Sequence, residues 1–284
     1  MKVLLCTIAR MENDYIREWV EYNKNIGFTN ICLFDNNYDG EQDFRDVIGD
    51  YIDSGFVILK DYRNRTECQL EAYTECYAEY GDKYDWIAFF DSDEFITLVT
   101  YGSVLEYLSD PVFNGYVVIK LNWVFYGDND MLYNDGRGVL ERFKYPLPIY
   151  HPTWRNNEQN CIAKSIVRGS QKIRLNQEDS GFVFLNPHTT NLYPACNNNG
   201  DSLLRNYTSS VPINYSLAHL RHYSAKTARE FCNKLRRGFP DQIFDKSRWE
   251  TAIVDSFFSI NDITPEKVQI FKDVLGVDVS YLLK

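Results

Sequence analysis

The stretch WIAFFDSDEF, residues 86–95, joins an apolar run directly to a cluster of acids. Residues 86–90 are all apolar, which is typical of a strand buried on both faces of a parallel sheet. Asp91, Asp93 and Glu94 follow at once. They should therefore lie at the carboxyl end of that strand, where an open α/β sheet usually binds its ligand.

The spacing of Asp91 and Asp93 suits a shared divalent cation. In a continued strand, side chains two positions apart leave the same face, and their Cα atoms are about 6.5 Å apart. Carboxylate oxygens prefer Mg²⁺, Mn²⁺ or Ca²⁺, and Mg²⁺ is commonly held by one or two carboxylates plus substrate phosphates. An acidic turn after a core strand would give the same pattern, so the pair alone leaves both interpretations open.

Length and composition exclude several classes of protein. The 284 residues are enough for one large domain or for one domain with an extension. A formal net charge of -10 argues against a general nucleic-acid binder, which needs a basic surface. The seven cysteines include no C-x-x-C pair, which favours reduced thiols over a disulfide framework or a zinc site. No segment approaches 18 consecutive apolar residues, so no membrane-spanning helix is expected.

Strand-like and helix-like segments alternate up to the acidic cluster. We expect strands at 2–8, 31–34, 57–60 and 86–90. We expect a helix after each of the first three strands: one at 14–26, a second that ends near residue 54, and a third that ends near residue 80. Thr66 and Gln69 have the spacing of a capping box for the third helix. This order is typical of a parallel sheet with right-handed crossovers. Dinucleotide-binding and P-loop folds are disfavoured, because no G-x-G-x-x-G and no G-x-x-x-x-G-K-[ST] follows a strand.

The second half of the chain is richer in loops. We expect strands at 115–124, 162–167 and 217–223, separated by loops at 126–138, 145–160 and 176–200. Ser224 should cap a helix that ends near Arg237, and Thr264 with Pro265 should open another that ends at Gly276. The last 60 residues are therefore expected to be mostly helical and to pack on the rest.

Six separated stretches resemble, in order, the metal-dependent glycosyltransferases of the GT-A type, in family 2 and especially in family 92. They are ARMENDYIREWVEYNKNIGFTNICLFDNN (9–37), the pair Arg65 and Gln69, WIAFFDSDEF (86–95), NWVFYG (122–127), AKSIVR (163–168) and HLRHYSAKTAREFCNKLRRG (219–238). The resemblance extends over nearly the whole chain. It implies an α/β fold of the GT-A class, with a mostly parallel central sheet between helices. We expect a catalytic domain at 1–222 and a C-terminal helical extension at 223–284.

The resemblance also implies roles for particular residues. Asp93 would bind the metal, Mn²⁺ or Mg²⁺, and Asp91 would contact it or the ribose of the donor. His222 is the first choice for a third ligand and His219 the second. The expected donor-binding residues are Arg10, Glu12, Asp35, Asn36, Arg65, Gln69, Asp91 and Ser92.

Several of these residues also have a structural interpretation. Asp35 could form a turn by bonding its own backbone. Arg10 and Glu12 could be a surface ion pair that contributes little to stability. Gln69 could serve only its capping box.

The implied activity moves a hexose from a nucleotide-diphosphate sugar, a UDP-sugar such as UDP-galactose, to a hydroxyl of an oligosaccharide or lipid-linked glycan. With inversion of configuration, a carboxylate must take the proton from the acceptor hydroxyl. Asp128, Asp130 and Glu158 lie in loops that could supply it, and Asp128 is preferred because it directly follows a strand. A retaining enzyme would need no such base. The resemblance further implies polysaccharide biosynthesis in the cytoplasm or at the inner face of a membrane.

Three other functions fit parts of the sequence. A phosphotransferase with an aspartate nucleophile would carry its D-x-D on the first strand and would have Thr or Val where Phe95 stands. A sugar-nucleotide nucleotidyltransferase would need a glycine-rich basic loop near the N-terminus, which the sequence lacks. A non-catalytic carbohydrate-binding protein would bind glycan without any effect of nucleotide.

Overall fold

A central sheet of ten strands organises the chain in the computed structural model, which describes residues 1–148, 159–169, 184–204, 211–238 and 246–284. The strands are β1 Val3–Ala9, β2 Asn30–Asp35, β3 Val57–Asp61, β4 Trp86–Phe89, β5 Glu94–Leu98, β6 Val118–Phe125, β7 Ala163–Arg168, β8 Phe184–Asn186, β9 Thr189–Thr190, β10 Ala195–Asn197, β11 Ser202–Leu203 and β12 Ala218–His222. The pair β8 and β9 forms a small sheet of its own.

Helices connect the strands and follow the last one. They are α1 Asn13–Asn25, α2 Arg45–Asp53, α3 Gln69–Tyr80, α4 Val104–Leu108, α5 Val139–Arg142, α6 Ala228–Arg237, α7 Trp249–Ala252 and α8 Pro265–Leu275. A π-helical turn, Ile253–Phe257, directly continues α7.

The strand order explains how distant parts of the sequence meet. Strands β3, β2, β1 and β4 are parallel neighbours, and β7 then lies antiparallel between β4 and β6. Strand β12 pairs with both β5 and β6, so the sheet curls back beside the acidic segment. In this register His222 lies opposite Glu94 on one side and Phe125 on the other. The C-terminal part of the chain therefore reaches the end of β4.

Apolar side chains cover both faces of the sheet. Alternate residues of β1 point to opposite sides, as strand geometry requires. Leu5 belongs to the cluster that contains Trp19 of α1, whereas Leu4 belongs to the cluster that contains Tyr73 of α3. Phe271 of α8 belongs to the same cluster as Leu5. The C-terminal helices therefore share a core with the sheet, and the division of the chain at residue 222 stays a prediction.

The predicted α/β fold is confirmed: a mixed central sheet lies between helices. The four early strands and the helices between them lie within a few residues of their predicted positions. Thr264 caps α8, Pro265 is its first residue, and Gly276 ends it in a left-handed conformation, as expected. Among the described residues, no helix has the length and apolar character needed to cross a membrane.

Two predicted helix caps are wrong. Thr66 and Gln69 form no capping box, because α3 begins at Gln69 and the Gln69 amide bonds to Tyr73 and Asp91 instead. Ser224 does not cap α6. Thr227 does, in a reciprocal capping box with Glu230.

Candidate functional site

A cavity of about 370 Å³ opens at the carboxyl ends of β1 and β4 and beside the end of β12. We call it the first cavity. Its wall contains the residues Ile8, Ala9, Arg10, Glu12, Gln69, Asp91, Ser92, Asp93, Phe125, Pro187, His188, His222, Ser224, Phe231, Lys234, Arg237, Gly238, Ala252, Asp255 and Ser256. Its volume is within the range of small-molecule sites. The predicted location of the ligand site thus coincides with a cavity.

Asp91 is held by three side chains. The ammonium of Lys164 lies 2.7 Å from Oδ2, while the Gln69 amide and the Tyr73 hydroxyl each donate to Oδ1 at 3.0 Å. Burial alone would raise the pKa of Asp91, but the Lys164 charge lowers it below its usual value. Asp91 is therefore a fixed carboxylate whose charge is balanced by a fully buried lysine.

Asp93 lies between a histidine and a second lysine. His222 Nε2 is 3.6 Å from Oδ1, and Lys234 Nζ donates to Oδ2 at 3.0 Å. Burial would raise the pKa of Asp93, but the charge of Lys234 and the contact with His222 hold it well below its usual range. Asp93 therefore stays ionised, and its two oxygens face two different partners.

Neighbouring aromatic rings fix the orientation of His222. The imidazole lies 4.1 Å from the ring centre of Trp123 and 5.0 Å from that of Phe125. Burial lowers the pKa of His222, which favours the neutral imidazole that metals bind. His219 lies beside Tyr215, away from the first cavity's wall, and burial lowers its pKa to about 4. Of the two candidates, the fold brings His222 to Asp93.

Asp93 and His222 could bind a metal ion only together with ligands that are not part of the protein. The described residues contain no group of three His, Cys, Asp or Glu side chains that could hold one. However, a carboxylate oxygen suits Mn²⁺ or Mg²⁺, and an imidazole nitrogen suits transition metals, so Asp93 and His222 together fit Mn²⁺ better than Mg²⁺. Donor phosphates and water would have to complete the coordination, as they commonly do for Mg²⁺.

Four of the expected donor-binding residues besides Asp91 line the first cavity: Arg10, Glu12, Gln69 and Ser92. Arg10 is paired with Glu41 at 2.5 Å, and its guanidinium lies 3.8 Å from the ring centre of Tyr38. Glu12 is paired with Arg237 of α6. These charges are therefore part of a network that links the loop after β1 to α6.

Asp35, Asn36 and Arg65 are engaged elsewhere and are not in the first cavity's wall. Asp35 accepts hydrogen bonds from the backbone and side chain of Asn37 and pairs with Arg63 at 2.9 Å. The Asn36 amide donates to backbone carbonyls, including that of Arg65. Their contact with the donor stays a prediction, and each residue has a structural partner in its place.

Two of the three residues predicted as the base, Asp128 and Asp130, do not line the first cavity. Asp128 is buried, and its carboxylate lies 2.7 Å from the ammonium of Lys267 in α8. Asp130 is exposed and 3.5 Å from the same ammonium. Glu158 lies outside the described residues. A catalytic role for these residues stays a prediction.

Sequence reasoning missed several residues of this site. Lys164 lies in AKSIVR and Lys234 in the stretch 219–238, so both were inside quoted motifs. His188 lines the first cavity, and burial lowers its pKa to about 3, so it is neutral. Asp255 lies on the π-helical turn, and such turns occur frequently at functional sites. Only the tertiary structure reveals its position.

Comparison with known proteins identifies relatives of one family. The sequence profile of glycosyltransferase family 92 matches residues 3–252. A family 92 protein of Ricinus communis is 30% identical over 99 residues, which cover 35% of this chain and 18% of that protein. One of Oryza sativa subsp. japonica is 25% identical over 92 residues, which cover 32% of this chain and 15% of that protein. The chain therefore matches only a small part of each relative.

Two similar solved structures share little sequence identity with this chain. TarS 1-349 of S. aureus, in complex with UDP-GlcNAc, is 12% identical, with a TM-score of 0.42 over 97% of this chain and 72% of that chain. The mannosyltransferase PcManGT of Pyrobaculum calidifontis, in complex with GDP-Man and Mn²⁺, is 11% identical, with a TM-score of 0.40 over 97% of this chain and 68% of that chain.

Proposed function

The chain belongs to glycosyltransferase family 92, and we propose that it transfers a hexose from a nucleotide-diphosphate sugar to a hydroxyl of a glycan acceptor. The observation that carries this proposal is the arrangement around Asp93. One carboxylate, one neutral imidazole and one ammonium converge on the same wall of a cavity. A bound diphosphate needs cations beside its oxygens. Lys234, and a metal ion held by Asp93 and His222, would be such cations.

The diphosphate of a UDP-sugar would lie between Asp93 and α6. Lys234 and Arg237 both line the first cavity and carry charges opposite to those of phosphate oxygens. Charge-assisted hydrogen bonds of this kind are short and are stronger than those between neutral groups. As the glycosidic bond breaks, negative charge builds on the leaving diphosphate, so the same cations would stabilise the transition state.

We propose that Asp93 and His222 hold Mn²⁺ or Mg²⁺ when the donor binds. A metal ion in this position would act as a Lewis acid on the leaving diphosphate. The residues of the chain prepare the site for it. Gln69, Tyr73 and Lys164 fix Asp91 beside the ligands, and burial keeps His222 neutral.

Asp255 is the acid that we propose as the base of an inverting reaction. It lies in the first cavity's wall, and its side chain is solvent-exposed. The other acids of that wall are Glu12, paired with Arg237, and the Asp91 and Asp93 carboxylates, paired with lysines. Asp255 forms no ion pair with any residue that the structure describes, so its carboxylate can accept a proton from an acceptor hydroxyl, whereas the paired carboxylates would lose their partners.

A panel of UDP- and GDP-sugars tests the proposed function. We expect slow hydrolysis of at least one of them in the presence of Mn²⁺, with loss of the activity when the metal is chelated. The Asp93→Asn variant should not hydrolyse it. A protein that binds glycans but neither binds nor hydrolyses any nucleotide-sugar would be a carbohydrate-binding protein, and the proposal would then fail.

A further inference from the structure

A second cavity, of about 460 Å³, lies beside the first. It is enclosed by the loop after β1, the start of α1, the loop after β2, and the segment from Ser224 to Arg237. Arg10, Glu12, Ser224, Lys234 and Arg237 line both cavities. The second cavity is therefore a neighbouring chamber that shares a wall with the proposed donor site.

Lys226 of the second cavity is a buried lysine that pairs with no acid of the described residues. Its side chain lines the cavity, and the residue is only 5% exposed. Within the described ranges, its ammonium makes no hydrogen bond and no ion pair, and it lies 4.2 Å from the ring centre of Tyr15, with the charges of Glu12 and Asp93 close enough to favour its ionised form. A buried ammonium normally has a hydrogen-bonding anion, because desolvation is costly. A bound anion would supply this missing partner.

The backbone at Lys226 is also strained. Its φ angle is +55°, a left-handed conformation that residues other than glycine rarely adopt. Such conformations cost free energy and tend to occur at binding sites. The strain belongs to the short connection between β12 and α6, which carries Lys226 into the second cavity.

The acids of the second cavity form no ion pair with Lys226 in the described ranges, although the charge of Glu12 favours its ionised form. Three of the four acids are paired with arginines: Glu12 with Arg237, Glu41 with Arg10, and Glu230 with Arg142. The fourth, Asp14, is exposed in the first turn of α1. Arg236 is an exposed cation of the same wall and, in the described parts of the chain, forms no ion pair. Lys226 and Arg236 therefore leave an excess of positive charge in the second cavity.

We propose that the second cavity binds a phosphate group, with Lys226 as its buried cation and Arg236 at its rim. A lysine is a common point-charge partner of phosphate. The volume of the second cavity is sufficient for a phosphorylated sugar. Because the second cavity adjoins the proposed donor site, the phosphate would belong to the acceptor. This assignment to the acceptor rests on the proposed function, whereas phosphate binding itself does not.

The donor diphosphate is the other possible source of the phosphate. Lys234 and Arg237 line both cavities, but Lys226 lines only the second. A donor held at Asp93 would therefore meet Lys234 and leave Lys226 for another group. This predicts that phosphate and UDP bind at the same time.

Calorimetry with inorganic phosphate tests the inference in the presence of saturating UDP and Mg²⁺. We expect one phosphate to bind the wild-type chain, and we expect Lys226→Met to weaken its binding at least tenfold while the UDP affinity stays within twofold. Lys24→Met is the matched control, because Lys24 also lies over a tyrosine ring, that of Tyr51, at 4.8 Å. This control should bind phosphate like the wild type.

Two further measurements keep the test decisive. Lys226→Met should have a melting temperature no lower than that of the wild type without phosphate, and phosphate should raise only the wild-type value. If Lys226→Met does not fold, Arg236→Met replaces it, because Arg236 is exposed.

Three results would overturn the inference: unchanged phosphate affinity in the variant, no phosphate binding to the wild type, or displacement of phosphate by UDP. Failure of UDP to bind, with phosphate still bound at Lys226, would instead count against the proposed function.

Discussion

Lys234 Nζ lies 3.0 Å from Asp93 Oδ2, although 141 positions separate the two residues in the sequence. This ion pair joins α6 to the acidic segment after β4. The same ammonium donates to the carbonyl of Ser224 at 3.0 Å, which fixes its position. The free protein thus holds a cation beside the carboxylate that we propose as a metal ligand.

Replacement of Lys234 tests whether this cation serves the donor. We expect Lys234→Met to weaken UDP binding about tenfold or more, because a hydrogen bond to a charged group contributes about 1.5–3 kcal/mol. Calorimetry measures the change. Lys272→Met is the control, since Lys272 pairs with Asp278 on the exposed face of α8. An unchanged UDP affinity would show that Lys234 serves only Asp93.

The identity of the base is tested by a pair of variants. We expect Asp255→Asn to keep UDP affinity but to lose about 100-fold or more in transfer rate, which is the usual contribution of a general base. Asp128→Asn should keep the transfer rate and lower stability, because it removes the buried carboxylate 2.7 Å from the Lys267 ammonium and leaves only the exposed Asp130 at 3.5 Å. Initial rates and thermal unfolding distinguish the two. The opposite pattern would restore Asp128, the base that the sequence order predicts.

The stability of the chain should depend on pH through His219. Burial lowers its pKa to about 4 in the folded state, whereas an unfolded histidine titrates near 6.5. Between these values the unfolded chain binds more protons, so stability falls as the pH falls from about 6.5 to 4. His219→Phe, which keeps an aromatic ring beside Tyr215, should remove part of this loss.

Urea unfolding at pH 7 and pH 5 measures that effect. Each pKa unit corresponds to about 1.4 kcal/mol of unfolding free energy, so urea unfolding can resolve the difference in stability between pH 7 and pH 5. Burial lowers the pKa of His188 to about 3, so His188 should cause the pH dependence of stability that remains in His219→Phe. A variant with the same loss of stability as the wild type would contradict the assignment to His219.

The parts of the site that the sequence predicted are those with local signals. The apolar run followed by Asp91 and Asp93 identifies both a strand and its functional end, because strand burial and polarity reversal are visible within ten residues. The stretch 219–238 likewise identifies His222 as a candidate metal ligand. These residues do meet at one cavity.

The parts that were missed depend on long-range contacts. Lys164 and Asp91 are 73 positions apart, and no spacing rule connects them. Gln69 had the local pattern of a capping box, but its amide bonds to Asp91 across the fold. The resemblance predicts that Asp35 contacts the donor, whereas in the structure its carboxylate bonds to Asn37 and Arg63. Local patterns cannot decide between such competing partners.

Calorimetric titration of UDP with and without Mn²⁺ tests the central claim most directly, in the wild type and in Asp93→Asn. We expect Mn²⁺ to strengthen UDP binding to the wild type at least tenfold and to have no effect on UDP binding to the variant. Asp46→Asn, a change at an exposed acid in the first turn of α2, should behave like the wild type. Equal enhancement by Mn²⁺ in Asp93→Asn would contradict the claim that Asp93 holds the metal that binds the donor.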